Sequence, residues 1–287
     1  MRNFDENTIT AAVLERFEHA KTARAHYVSE ALVRHLHAFI REPTFEEWRE
    51  AIVFLTSVGK KCSDTRQEFI LLSDTLGVSM LVDAINHRMP KGATETTVLG
   101  PFFVESAPET PLGADISPGM PGEPLFVQGS VSTVGGDPLP GAIVDIWHSD
   151  KDGYYDVQHY DEAARPRCER ASARTRPDAS GSGQSSPASI PFPTTGRSAT
   201  CSGRRAAILS TAHVLFMIAS PGYETLATHV FIDGDKYLDS DVVFGVKDSL
   251  IRKLERRAAG LEAAGKRVDH PFAVMTYDYV LAPRGTG

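Results

Sequence analysis

The spacing of apolar residues divides the chain into a helical first part and a strand-rich remainder. Residues 8–41 contain no Gly or Pro and repeat apolar side chains at helical intervals, which predicts helix. Thr44 and Glu47 follow, three residues apart, and this spacing predicts a capping box in which each side chain accepts a hydrogen bond from the other residue's backbone N–H. The first hundred residues are therefore expected to be helical.

Two further patterns extend this helical part. Trp48, Ile52 and Leu55 recur at i, i+4 and i+7, so they share one helix face, which we expect to be buried. Another helix is predicted from residue 68 to about residue 87, and Pro90 ends it because proline cannot continue a helix.

After residue 100 the sequence changes to short β-rich runs separated by Gly and Pro. Residues 124–132 predict one strand, a Gly-rich turn occupies 135–141, and a second strand runs through Val144 and Ile146. Such a pair predicts a hairpin in an antiparallel sheet. The remaining predicted elements are strands at 213–219, 228–233 and 272–281, and a short helical insertion from 242 to about 263.

These elements together predict an α+β fold. An N-terminal helical domain, residues 1–100, is expected to pack on an antiparallel β-sandwich that comprises residues 101–287.

Composition narrows the class of protein. A chain of 287 residues with 41% apolar and 23% charged residues is typical of a globular protein, and its net charge of −7 favours neither nucleic acid nor a membrane surface as a partner. No run of apolar residues is long enough to cross a membrane, and the first residues lack the pattern of a secretory signal. Three cysteines without a C-x-x-C spacing argue against a disulfide framework or a thiolate zinc site. We therefore expect a cytoplasmic protein.

Residues 163–207 differ in composition from the rest of the chain. They contain eight Arg and two of the three Cys, and Ile190 and Phe192 are their only large apolar residues. A sandwich strand buries one face through alternating apolar positions, which this segment lacks, so we expect no sandwich strand in it. A functional site that uses residues on both sides of this segment is therefore complete only if residues 163–207 supply the parts expected from them.

Five segments, in their order and spacing, resemble the intradiol ring-cleaving dioxygenases, which open catechols with a non-haem ferric ion. The segments are Thr97-Val-Leu-Gly-Pro-Phe-Phe, Pro138-Leu-Pro-Gly-Ala-Ile-Val-Asp-Ile-Trp-His, Asp152-Gly-Tyr-Tyr-Asp, Ala212-His-Val-Leu-Phe and Gly234-Asp-Lys-Tyr-Leu. The runs Ser220-Pro-Gly-Tyr-Glu-Thr-Leu and Tyr237-Leu-Asp-Ser-Asp-Val-Val-Phe-Gly are most similar to the members of that family that cleave hydroxyquinol.

The resemblance implies an Fe(III) site with two tyrosine and two histidine ligands. Phenolate is a hard anionic donor suited to Fe(III), imidazole adds nitrogen, and the charge of the ion lowers a tyrosine pKa of about 10 enough for ionised coordination. Tyr155 matches the first tyrosine ligand and a catalytic residue, and His213 matches the first histidine. The histidine expected two residues further on is replaced by Leu215.

Two more positions depart from the family pattern. The second tyrosine should open a Tyr-Pro-x-Pro run, but the chain has Ser189-Ile-Pro-Phe-Pro. An arginine that stabilises anionic substrate should open Arg-Pro-Ala-His, but Ser210 stands in its place. All these losses lie within or at the edge of the unusual segment.

The substrate pocket matches the family more fully. The resemblance implies that seven residues contact the substrate: Leu71, Asp74, Val98, Leu99, Gly100, Pro101 and Phe102. Among them, the Asp74 carboxylate is expected to pair with a third hydroxyl of the substrate ring. It also implies O2 and a small aromatic diol or triol as substrates, and a homodimer formed through the helical part.

The resulting prediction is intradiol cleavage of hydroxyquinol (benzene-1,2,4-triol) to 3-hydroxy-cis,cis-muconate and maleylacetate. Catechol or chlorocatechol 1,2-dioxygenase is an alternative within the family. Another alternative is a catalytically inactive β-sandwich that binds aromatic compounds without turnover.

Three hypotheses address residues 163–207: natural disorder, a divergent inactive homologue, and a local reading-frame error in the gene. We favour the frame error, because it explains both an Arg-, Ala-, Ser- and Pro-rich run and the return of family-like sequence at His213. Resequencing the gene across these codons tests it, and an unchanged sequence would exclude it.

Overall fold

The structure is a computed structural model that describes residues 5, 8–15, 21–40, 42–63, 66–103, 109–116, 122–149, 155, 211–263 and 266–285, together with the backbone of 172–175 and 184–192. By its internal contacts the chain divides into two compact units, residues 1–57 and 58–287. No helix among the described residues is both long and apolar enough to span a bilayer.

Five α-helices occupy the described part of the first hundred residues. They are α1 (Ile9–Glu15), α2 (Ala23–Phe39), α3 (Phe45–Lys61), α4 (Glu68–Thr75) and α5 (Val78–Asn86). The capping box at the start of α3 is confirmed, because the Glu47 carboxylate accepts from the Thr44 N–H at 2.8 Å and the Thr44 hydroxyl accepts from the Glu47 N–H at 3.2 Å.

Two predictions about these helices are wrong. The single helix expected over residues 68–87 is interrupted at Gly77, whose φ of 70° lies in the left-handed region that ends a helix. The face formed by Trp48, Ile52 and Leu55 is exposed, with relative accessibilities of 57%, 47% and 43%. Helical spacing places these side chains together, but none of the residues that the structure describes covers them.

Twelve strands follow in the described residues after position 100. They are β1 (Glu123–Thr133), β2 (Ile143–Trp147), β3 (Ser172–Thr175), β4 (Gln184–Phe192), β5 (His213–Ala219), β6 (Leu226–Ile232), β7 (Ile251–Arg252), β8 (Glu255–Arg257), β9 (Glu262–Ala263), β10 (Lys266–Arg267), β11 (Phe272–Thr276) and β12 (Tyr279–Leu281). The α+β class is thus confirmed.

Two five-stranded sheets share one core. The first contains β12, β1, β11 and β8 with β4 paired to β1, and the second has the order β3-β2-β5-β6-β7. Both sheets are mixed, because β1 pairs in parallel with β11 and β12 while β6 pairs in parallel with β7, so the purely antiparallel arrangement is not confirmed. Side chains from both sheets form a single buried cluster, which includes Leu125, Val214, Phe216 and Met275.

The hairpin predicted from β1 and β2 is wrong, since the two strands lie in different sheets. The turn between them folds back only as far as Leu139, whose N–H donates to the Val131 carbonyl at 2.9 Å. Gly141, with a φ of 75°, lies between that turn and β2.

Two other expectations about the second half are corrected. Residues 242–263 hold a 3-10 turn and short strands instead of a helical insertion. The segment 163–207 contributes β3, which pairs with β2, and β4, which pairs with β1. Strand pairing is made by backbone hydrogen bonds, so it tolerates the lack of an apolar alternation that led us to expect no strand there.

Candidate active site

The pairing of β5 with β6 places the candidate ligands on one face of the second sheet. His213 lies opposite Phe231, and Leu215 lies opposite His229. Directly paired residues of antiparallel strands project to the same side, as do residues two apart along a strand. His213, Leu215 and His229 therefore share one face.

That face borders a cavity in the unit formed by residues 58–287. About 430 Å³ of space in this cavity is not occupied by protein atoms, a volume that includes the part open to solvent. Its lining is mainly apolar and consists of Leu71, Asp74, Val98, Leu99, Gly100, Pro101, Phe102, Trp147, Tyr155, His213, Leu215, His229 and Val243.

Tyr155 and His213 meet at the wall of this cavity. The Tyr155 hydroxyl lies 3.0 Å from Nε2 of His213, and Nδ1 of that histidine lies 2.7 Å from the Thr211 carbonyl oxygen. A carbonyl only accepts, so Nδ1 carries the proton and Nε2 presents a lone pair, to which the phenol donates. Burial lowers the pKa of His213, which keeps its imidazole neutral.

His229 is the second buried histidine at the cavity. Its ring meets that of His213 edge to face, with centroids 4.8 Å apart, and its Nδ1 forms a short hydrogen bond with the Thr97 hydroxyl. Burial, followed by the proximity of His213, lowers the pKa of His229 well below its usual value. Both imidazoles are therefore neutral, the form in which a histidine binds metal.

Asp74, on helix α4, contributes a carboxyl group to the lining. The residue is only 1% exposed, and its Oδ1 has no hydrogen-bond partner among the described residues. Burial raises the pKa of Asp74, while a hydrogen bond from Ser79 acts in the other direction. A buried acceptor without a partner is costly unless a ligand supplies the donor.

Aromatic side chains shape the cavity between these polar groups. Phe102 stacks on Tyr155 with ring centroids 4.8 Å apart, and Phe103 packs against Trp147 at 5.0 Å. Phe102, Trp147, Tyr155 and Leu215 form a buried cluster of their own. This packing holds the Tyr155 phenol in place and suits a flat aromatic ligand.

All nine residues selected from the sequence line the cavity, which brings together two separate stretches, 71–74 and 98–102, with Tyr155 and His213. Sequence analysis did not select Trp147, His229 or Val243. The signal for His229 was its place in the predicted strand 228–233, but only the register with β5 shows that it lies opposite Leu215.

The other predicted ligand positions contribute less. Ser189 lies on β4, where its backbone pairs with Phe126, and Ser210 lies outside the described residues. The unusual segment 163–207 is described only at β3 and β4.

The donor set at the cavity fits a metal cation. Within the described ranges, no three His, Cys, Asp or Glu side chains cluster closely enough to hold a metal, so a site built from these residues needs another type of donor, such as tyrosine. The phenol oxygen of Tyr155 and the Nε2 of His213 converge to 3.0 Å, so a cation that replaces the phenol proton would find an oxygen and a nitrogen donor already aligned.

Comparison with known proteins accounts for nearly the whole chain. The family model described as "Catechol dioxygenase N terminus" matches residues 22–94, and the model described as "Dioxygenase" matches residues 98–283. The chain belongs to the intradiol ring-cleavage dioxygenase family.

Relatives within the intradiol dioxygenases are similar over their full length. A hydroxyquinol 1,2-dioxygenase of Nocardioides simplex is 43% identical over 282 residues, which cover 97% of this chain and 96% of that protein. A 6-chlorohydroxyquinol 1,2-dioxygenase of Cupriavidus pinatubonensis is 44% identical over 99% of both chains. The crystal structure of hydroxyquinol 1,2-dioxygenase from Pseudomonas putida superposes with a TM-score of 0.79 at 39% identity, covering 97% of this chain and 99% of that one.

Proposed function

We propose that this intradiol dioxygenase opens hydroxyquinol between its two adjacent hydroxyl groups, with O2 as the oxidant, to give 3-hydroxy-cis,cis-muconate, which tautomerises to maleylacetate. Both oxygen atoms of O2 enter the product. The observation that carries the proposal is the contact between the Tyr155 hydroxyl and His213 Nε2, inside a cavity lined by the seven expected substrate residues. The full-length similarity to hydroxyquinol 1,2-dioxygenases supports the choice of substrate.

The proposed cofactor is Fe(III), held by the Tyr155 phenolate and by His213. When bound, the ion supplies a Lewis acid that draws the adjacent hydroxyls of the substrate in as anions and makes the ring reactive toward O2. The residues of the chain fix its donors: the Thr211 carbonyl holds His213 in the tautomer that presents Nε2, and Phe102 packs against the Tyr155 ring.

Asp74 is proposed to recognise the third hydroxyl of hydroxyquinol. Its buried Oδ1 lacks a partner among the described residues, and a phenolic O–H supplies the missing donor. Catechol has no hydroxyl at that position, so it leaves the carboxyl unsatisfied. The apolar side chains of Leu71 and Val98 exclude water from the remaining ring surface.

Oxygen uptake tests the proposal. Iron-loaded protein is expected to consume O2 in a one-to-one ratio with hydroxyquinol, to turn over catechol and 4-chlorocatechol more slowly, and to contain about one iron per chain with the colour of a tyrosinate complex. Tyr155→Phe should lose the colour and the turnover. A protein that binds hydroxyquinol but holds no iron and consumes no O2 would instead be the inactive aromatic-binding sandwich.

We also infer the assembly and domain division that the family implies. The family models meet at residues 94–98, which supports a domain boundary near residue 100. A homodimer formed through the helical part is supported by the exposed face of Trp48, Ile52 and Leu55, because large apolar side chains grouped on one exposed face are typical of protein interaction sites.

A further inference from the structure

The position of Leu215 leaves the proposed iron site one histidine short, and the neighbouring strand carries the nearest replacement. This inference rests on the proposed function. We infer that His229 supplies the second imidazole nitrogen to the iron, in place of the histidine that the family pattern expects at position 215. The site is then formed by Tyr155, His213 and His229.

The sheet register brings His229 to the required place. Leu215 and His229 are directly paired across β5 and β6, so their side chains leave the sheet side by side on the face that borders the cavity. The imidazole of His229 therefore lies beside the position where the family pattern expects the second histidine. The 4.8 Å between the His213 and His229 ring centroids brings both imidazoles to one point of the wall.

The hydrogen bond with Thr97 orients the imidazole for this role. For this role, Nδ1–H of His229 donates to the Thr97 hydroxyl oxygen, with which Nδ1 forms a short hydrogen bond. This arrangement leaves Nε2 as the nitrogen that carries a lone pair. Histidines that bind metals commonly donate their other N–H to such a partner, which fixes the tautomer and the ring orientation.

The resulting donor set is sufficient for non-haem iron. Two imidazole nitrogens and one carboxylate oxygen hold Fe(II) with open positions in other non-haem iron sites, and here the Tyr155 phenolate, a hard anionic donor that suits Fe(III), would take the place of the carboxylate. Among the described residues that line the cavity, Asp74 is the only other side chain with a metal-binding donor, and it belongs to the stretch 71–74 instead of the β5–β6 face.

Cu(II) bound to the purified full-length chain reports the number of coordinated nitrogens through the superhyperfine pattern of its electron paramagnetic resonance spectrum. Wild-type protein is expected to show two imidazole nitrogens and His229→Gln one. The double variant Leu215→His/His229→Gln is expected to show two again, because position 215 faces the same part of the cavity.

Affinity for Cu(II), measured by competition with a chelator, separates a ligand from a residue that only orients His213. His229→Gln should weaken binding more than about 100-fold, whereas Thr97→Val, which removes only the orienting hydrogen bond, should cost about 10–100-fold. His148→Gln is the matched control, since His148 is equally buried but does not line the cavity, and it should leave affinity unchanged. Circular dichroism checks that each variant is folded.

The outcomes distinguish this inference from the proposed function. If His229→Gln keeps two nitrogens and binds as tightly as wild type, His229 is not a ligand, while iron content and O2 uptake of the wild-type protein still decide the proposed function. If wild type binds neither Cu(II) nor iron and Leu215→His alone restores both, His229 does not replace the missing histidine. Loss of one nitrogen in His229→Gln, with recovery in the double variant, supports the assignment.

Discussion

Strand β5 and helix α3 both carry regularly spaced apolar side chains, but only those of the strand are buried. Val214, Phe216 and Ile218 alternate along β5 and lie in the core between the two sheets. Trp48, Ile52 and Leu55 follow an equally regular helical period and remain about half exposed. Periodicity therefore defines a face in both regions, whereas burial depends on whether the same chain supplies a surface to cover it.

The largest expected effect comes from truncating the covered face. Phe216→Ala should lower the free energy of unfolding by about 3–5 kcal/mol, because Phe216 is only 2% exposed and its removal leaves a cavity. Phe54→Ala on α3 removes the same side chain at a position that is 42% exposed. It should cost less than about 1 kcal/mol. Urea denaturation of both variants measures the difference, and equal losses would contradict the comparison.

A glycine-to-alanine pair extends the comparison to the backbone, with one glycine in strand β1 and one in helix α3. Gly129 lies in β1, where an added Cβ would stand 1.7 Å from the Tyr277 carbonyl oxygen, so the backbone must move. Gly129→Ala should destabilise the protein by about 3 kcal/mol or more. Gly59 lies in α3, and its added Cβ meets only the Phe69 ring at 3.8 Å.

Gly59→Ala should therefore stabilise the protein by about 0.5–1 kcal/mol, because alanine loses less backbone entropy than glycine in a helix. Thermal unfolding of the two variants measures the opposite signs. A stable Gly129→Ala protein would show that β1 and the residues after β11 do not approach as closely as described.

A smaller effect, on substrate preference, is expected at the cavity, where the buried Asp74 carboxyl has an oxygen without a hydrogen-bond partner among the described residues. Asp74→Asn should reduce the preference for hydroxyquinol over catechol in kcat/KM by roughly 5–10-fold, because the amide oxygen still accepts from the phenol and only the difference of about 1 kcal/mol between a charged and a neutral hydrogen bond is lost. Asp83→Asn is the matched control: Asp83 is also buried, but it bonds Thr96 and His87 and does not line the cavity. An unchanged preference in Asp74→Asn would exclude a hydrogen bond from the substrate to a charged carboxylate at this position.

The same variant has a pH-dependent effect on stability. Burial raises the folded-state pKa of Asp74 above its unfolded value, so the folded protein binds the extra proton, and wild type loses stability as pH rises through the folded pKa. Asparagine does not titrate. The stability of Asp74→Asn relative to wild type should therefore increase as pH rises above about 4, where an unfolded aspartate ionises. Urea denaturation at a series of pH values measures it.

The smallest effect on folding is expected where the apolar face is open. Ile52→Lys should change the free energy of unfolding of the monomer by less than about 0.5 kcal/mol, since the side chain is already half exposed. It should weaken self-association at least tenfold if the face is the dimer contact, because a charge is then buried there. Analytical ultracentrifugation of wild type and variant measures both, and an unaltered association constant would place the dimer contact elsewhere.

Sequence patterns predicted residues that line one cavity more accurately than they predicted the elements that carry those residues. Tyr155, His213 and the stretch 98–102 were selected from local motifs, and all of them line the cavity. The hairpin of β1 and β2 was wrong because a turn signal does not specify which sheet the next strand joins. His229 was missed because its neighbour Leu215 is 14 positions away in sequence and is brought beside it only by strand pairing.

The sequence by itself determined the family, the α+β class, most of the strands, and the tyrosine, histidine and carboxylate that line the cavity, because these depend on residue type and local spacing. Tertiary structure alone decided the mixed pairing of the sheets, the break at Gly77, the exposure of the α3 face, and the meeting of His229 with His213. The physical reason is that each of these depends on which distant segment packs or pairs against the element, and periodicity along one element contains no information about its partner.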